Sequence, residues 1–190
     1  MNKKPWEIYP GIWSTKAKFF SFIRGGIRKG LWNTNPVKLE FIKRNRIKIK
    51  NPNPKGKVAE VWGAECCLCN EQFPQKDIQV DHKQGNNSLN STEDLESFIS
   101  AIVFVSEEDL QFVCKTCHKV KSYSEKQKIS FAEAVAIKKA IDCCKQPVAK
   151  QKAELLSYGF TEGKIASQDK RRKCYEVYFK KESDKKQKGR

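Results

Sequence analysis

Two segments, Cys66-Cys67-Leu68-Cys69 and Cys114-Lys115-Thr116-Cys117, each repeat a cysteine after two intervening residues. That spacing lets two sulfurs from one tight turn reach the same ion. Two such pairs complete the four-thiolate tetrahedral shell of structural zinc, so Cys66, Cys69, Cys114 and Cys117 are the expected ligands. Cys67 is the spare, because pairing it with Cys69 would leave one residue between the ligands, a poor bite. The only two histidines lie beside these pairs: His82 closes Val80-Asp81-His82, and His118 directly follows Cys117. Zinc stapling alone needs neither histidine nor Asp81. Both histidines fall beside the expected metal-binding elements, one of them preceded by an Asp.

The elements that must position these groups are short. Val58 to Glu65 reads as extended. A second strand follows the first cysteine pair over Asp77–Asp81, where Ile78 and Val80 alternate with polar neighbours. Thr92 to Val105 has Leu95, Phe98, Ile99 and Ile102 at helical spacing behind the acidic turn Glu93-Asp94, and the second cysteine pair opens another helix. Upstream, a helix from Ser14 carries Phe19, Phe20, Ile23 and Ile27 and closes at Gly30; a second runs through Val37, Leu39, Phe41 and Ile42. Asn51-Pro52-Asn53-Pro54-Lys55-Gly56-Lys57 breaks all periodicity and reads as a linker. Downstream, Ser130-Phe131-Ala132-Glu133 has the form of a capping box, Gly159 is a stop, and Ser167 starts a last helix. Lys180 to Arg190 reads as a charged, disordered tail. The expected class is α+β, with segments 1–57 (a basic helical arm and linker), 58–125 (a zinc-stapled core) and 126–190 (helical, with the basic tail).

A formal charge of +16 over 190 residues suits a polyanionic partner. Residues 1–57 hold 15 basic and 2 acidic side chains, residues 58–144 hold 9 and 14, and residues 145–190 hold 14 and 6. Two basic flanks around a slightly acidic centre can grip a phosphate backbone, so nucleic acid is the expected partner; Lys16, Lys18, Arg24, Arg28, Lys29, Lys43, Arg44 and Arg46 are the expected contacts. Solvated surface charge is the alternative. No stretch approaches the roughly 20 apolar residues of a membrane span, and the start lacks a secretory h-region. The expected location is the cytoplasm, where eight cysteines serve as metal ligands or buried thiols rather than disulfides.

Val80-Asp81-His82 followed by Asp109-Leu110-Gln111-Phe112-Val113-Cys114-Lys115-Thr116-Cys117-His118 resembles the HNH endonucleases, especially bacteriophage-type members with paired Cys-x-x-Cys zinc sites. The resemblance spans residues 58–125. It implies a ββα-metal fold and hydrolysis of DNA phosphodiester bonds to a 5′ phosphate and a 3′ hydroxyl, in the host cytoplasm if the chain is phage-encoded. It further implies Asp81 and His118 as ligands of a catalytic Mg²⁺ or Mn²⁺, and His82 as the general base. One site per chain implies a nick by a monomer, and a double-strand break would need a homodimer or two sequential events; a phage DNA-processing partner is a further expected associate.

The family's middle motif carries Asn where this chain has Asp109, which accepts hydrogen bonds but cannot donate them. Asp109 is the expected occupant of that role, with Asn86, Asn87 or Asn90 as alternatives. Cys143, Cys144 and Cys174 read as buried thiols, and Trp6, Trp13 and Trp32 as packing for small helices rather than DNA-stacking groups. A non-catalytic zinc-dependent DNA-binding protein and a DNA-packaging accessory protein are the rival readings.

Overall fold

In this computed structural model the chain is α+β, and residues 3–53, 55–85 and 88–188 are described, without the side chains of 184–188. Its helices are α1 (Pro5–Ile8), α2 (Lys16–Ile27), α3 (Pro36–Asn45), α4 (Leu95–Val103), α5 (Lys115–Gln127), α6 (Phe131–Cys143), α7 (Val148–Ser157) and α8 (Gln168–Lys188). Its strands are β1 (Ile47–Lys50), β2 (Glu60–Glu65), β3 (Gln72–Pro74), β4 (Ile78–His82) and β5 (Leu110–Cys114). Two compact units divide the chain after Cys117, inside α5. None of the helices described is long and apolar enough to cross a membrane.

The first unit holds both sheets, each antiparallel. β1-β2-β3 form one, and β4 pairs with β5 in register from Ile78↔Cys114 to His82↔Leu110. The Asn- and Pro-rich segment expected to be a linker is instead the loop of the β1–β2 hairpin. Asn51 accepts from the Asn53 amide and donates Nδ2 to the Val58 carbonyl (2.9 Å), turning the chain back on itself. The alternation Ile47-Lys48-Ile49-Lys50 then buries Ile49 and exposes both lysines. Gly63, opposite Ile47, is required: a Cβ there would lie 2.3 Å from the Phe73 carbonyl oxygen and 2.7 Å from Ile49 Cδ1. The basic arm is therefore continuous with the sheet that leads to the first cysteine pair.

Three apolar clusters hold this unit. Ala64, Cys66, Ile78, Val113 and Cys114 lie beneath the cysteine pairs. Phe41, Val80, Val105 and Leu110 back the β4–β5 ladder. Phe20, Leu89, Phe98 and Ile102 join α2 to α4. The aromatic residues of the arm behave as packing: Trp6 meets Phe19 and Phe20 at 5.6 and 5.8 Å, and Trp13 meets Phe19 edge-on at 5.4 Å. Thr15, rather than Ser14, caps α2, its hydroxyl accepting from the Lys18 amide. Gly30 does not end that helix. The glycine-rich run Gly25-Gly26 to Gly30 relaxes into a π-helical turn over Arg28–Trp32, closed by the Asn33 amide on the Arg28 carbonyl (2.9 Å).

In the second unit, α6, α7 and α8 enclose Ala140, Leu155, Ile165, Cys174 and Tyr175. Ser130 caps α6 through the Glu133 amide, and Gly159, at φ +86°, ends α7. Arg171 is buried, donating Nε to Gln151 Oε1 (2.8 Å) and Nη1 to the carbonyls of Ile165 and Ala166. Helix α8 continues to Lys188, where the charge run alone suggested an unstructured tail; Arg172 and Glu176, one turn apart at 2.9 Å, are one of the pairs along it.

Candidate metal centre and the Asp81-His82 strand end

The four cysteines read from the spacing converge. One sulfur each from Cys66, Cys69, Cys114 and Cys117 lies within 4.8 Å of the others. In a tetrahedron with Zn–S bonds of about 2.3 Å the sulfurs stand about 3.8 Å apart, so a small contraction fits the ion. Local structure explains the convergence. The first pair turns on Asn70, whose φ of +59° is tolerated by its short polar side chain, and the Asn70 amide closes the turn on the Cys66 carbonyl at 2.8 Å. The second pair straddles the junction where β5 becomes α5. Backbone amides point at the sulfurs, Cys114 N–H at Cys66 Sγ and Cys117 N–H at Cys114 Sγ, both at 3.3 Å.

These amides matter electrostatically. Burial opposes ionisation of Cys66, but the N–H groups of Cys114, Leu68 and Cys69 outweigh it and lower its pKa. Burial pushes the Cys69 thiol up to about 11 and the Cys117 thiol higher still, with neighbouring sulfurs adding repulsion at both. One thiol favoured as thiolate beside two that resist ionisation is a donor set that a dication would stabilise, because its charge offsets the repulsion between the sulfurs. Cys67 is exposed and outside the cluster, its Sγ 3.1 Å from Gln111 Oε1, as the spacing required.

Asp81 and His82 end β4, opposite Gln111 and Leu110 of β5. Both are half-buried. The His82 ring is held on its edge and on its face: Nε2 lies 2.8 Å from the Ala101 carbonyl oxygen, and the Trp32 indole stacks at 4.6 Å with 24° between planes. A carbonyl only accepts, so in the neutral imidazole Nε2 carries the hydrogen and Nδ1 the lone pair. Below the ring, Gln111 donates Nε2–H to the His82 carbonyl (3.2 Å) and the Lys83 amide donates to the Asp109 carbonyl (2.8 Å). The π-helical turn thus delivers Trp32 to His82, and it also brings Arg28 into the field of Asp81. Desolvation and Arg24 lower the Arg28 pKa while Asp81 raises it. Neither Trp32 nor Arg28 was identified with this strand end from sequence; both depend on one added residue in a helical turn.

Asp109 lies beside this strand end as a loop-holder. Its Oδ2 accepts from Ser106 N–H (2.8 Å) and Ser106 Oγ (2.7 Å), and these bonds hold its carboxyl below the usual range. Asn90 instead donates its backbone amide to Asp94 Oδ2 at 2.8 Å; Asn86 and Asn87 lie outside the described residues. His118 is half-buried in α5, the first residue of the second unit. Cys143, Cys144 and Cys174 are buried or half-buried, with thiol pKa values raised by desolvation.

The expected DNA contacts divide into two sets. Arg44 pairs with Glu40 (2.9 Å) and Glu107 (3.2 Å), Lys43 faces Glu40 (3.9 Å), and Arg24 donates to the Leu89 carbonyl (3.1 Å). Lys18, Lys29 and Arg46 form no ion pair among the described residues; Lys16 lies over the Phe20 ring at 5.7 Å and in the field of Glu93, and Arg28 lies over the Phe98 ring at 5.8 Å and in the field of Asp81. No family model, curated protein or solved structure matches the chain.

Proposed function

We propose that the protein is a zinc-stapled, metal-dependent DNA endonuclease of the HNH type. The observation that supports this reading is the pinned imidazole of His82 beside Asp81, with Nε2 committed to the Ala101 carbonyl and the lone pair on Nδ1. Nδ1 takes a proton from the attacking water. Trp32 and Ala101 hold the ring, so little orientational freedom is lost when water and phosphate arrive. Asp109, through Ser106, and Gln111, through the His82 carbonyl, hold the loop and the strand end. In this reading Asp81 supplies a carboxylate ligand for Mg²⁺ or Mn²⁺, and His118 is the imidazole ligand that the resemblance implies. The ion, when bound, supplies charge stabilisation at the phosphate and the departing 3′ oxygen. Excess positive charge supplies the affinity for the backbone.

A zinc-dependent DNA-binding protein without catalysis is the second reading, favoured by the packing of His82 against Trp32, which would also serve a purely structural imidazole. The two part on one variant. His82→Ala is expected to keep its zinc and its DNA affinity while nicking of supercoiled plasmid in Mg²⁺ or Mn²⁺ falls by about 10²-fold or more. Undiminished nicking by this variant would falsify the catalytic role.

A further inference from the structure

The β1–β2 hairpin carries a second constellation, away from the Asp81-His82 strand end. Lys48 pairs across the strands with Trp62, whose indole is 40% exposed. The Arg46 guanidinium carbon stands 4.2 Å from the centre of that indole and Lys48 Nζ stands 4.4 Å from it. Arg46 ends α3 and enters β1, so Arg46, Lys48 and Lys50 alternate toward one side of the hairpin. Among the described residues neither Arg46 nor Lys48 forms an ion pair, unlike Arg44 two positions earlier, and Arg46 Nε is buried without a hydrogen-bond partner.

An arginine or lysine near an aromatic ring is common, and alone it means only that charge meets a polarisable surface. Three features go further here. Two cations share one indole and, among the described residues, neither pairs with a carboxylate. A guanidinium carbon 4.2 Å from the centre of an indole is close enough for the ring to order the side chain, and its N–H groups, which make no side-chain hydrogen bond among the described residues, are donors for a planar or tetrahedral oxyanion. Lys50, Lys55 and Lys57, all exposed, extend positive charge along the same hairpin and its loop. We infer that Arg46, Lys48 and Trp62 form a phosphate clamp for the backbone of duplex DNA, in which Trp62 pre-orders Arg46 and contributes no charge.

The inference takes DNA as the partner from the proposed function but needs no cleavage. Its test is binding of a short fluorescein-labelled duplex over a range of salt, with no Mg²⁺ or Mn²⁺ added and the zinc left in place. Arg46→Gln/Lys48→Gln is expected to reduce the slope of log affinity against log salt by about 1.8, at about 0.9 per phosphate contact. Trp62→Ala changes no charge, yet is expected to weaken binding about twofold to fivefold, and Trp62→Phe to restore most of it. Zinc content and melting temperature establish that each variant is folded. A folded double variant with the parent's slope overturns the clamp, and so does a folded Trp62→Ala protein with the parent's affinity. Loss of nicking in His82→Ala beside an unchanged salt slope in the double variant would leave the nuclease standing and remove the clamp; the reverse pattern would do the opposite.

Discussion

At the scale of single residues, the cysteine cluster was the most legible part of the molecule because ligand chemistry depends on residue type and short-range spacing. Cys114→Ser removes a sulfur that is 3% exposed and accepts the Cys117 amide. Zinc measured by elemental analysis is expected to fall from one ion per chain toward none, with a large loss of melting temperature. Asp109 was legible as the residue standing where the resemblance expects a loop-holding Asn, but its partner Ser106 was not, since that contact is set by a short turn that periodicity does not reveal. Its carboxyl is depressed in the folded state, so the unfolded chain binds the proton more readily in the acid range. The stability it adds is therefore full above the ordinary carboxylate value of 3.8 and is lost as pH falls through the lower folded value. Thermal melts of Asp109→Ala against the parent should show a gap at neutral pH that closes on acidification below that value.

At the scale of elements, α4, α6 and the start of α5 at the second cysteine pair follow their periodicity closely, whereas β3 and β5 were not read as strands. Strand β1 was missed as well. Its four residues follow a helix directly, and the Asn-Pro segment after it has the composition of a linker even though it serves as a hairpin loop. The hairpin changes what truncation can mean: removing residues 1–57 takes away β1 and the buried Ile49 together with the positive charge. Ile49→Ala is expected to cost about 2–5 kcal/mol. Gly63→Ala, which drives a methyl into the Phe73 carbonyl, is expected to cost about 1–3 kcal/mol or more. Urea denaturation of the two variants measures both. The stacking of Trp32 on His82 was beyond sequence reasoning for a different reason: it requires a π-helical turn, and the glycines that permit such a turn also read as a helix end.

At the scale of the whole molecule, the excess of positive charge in residues 1–57 and 145–190 is expected to make DNA affinity fall linearly as log salt rises. The slope counts phosphate contacts at about 0.9 each on duplex DNA, and fluorescence anisotropy across salt concentrations reads it directly. Arg44 and Lys43, already facing Glu40, should contribute less to that slope than Lys16, Lys18 or Lys29. The β4–β5 ladder carries a further consequence. Its register joins His82 to Leu110 and Ile78 to Cys114, so the strands meet only after the whole intervening excursion, α4 included, has been gathered in. The β1–β2 turn, by contrast, closes over a few residues and can form early. Two cysteine pairs, one on each side of that excursion, make metal capture the event that shuts the larger loop and offsets its closure entropy. Assembly of the Asp81-His82 strand end is then coupled to the four cysteines gathered at the far end of the same ladder.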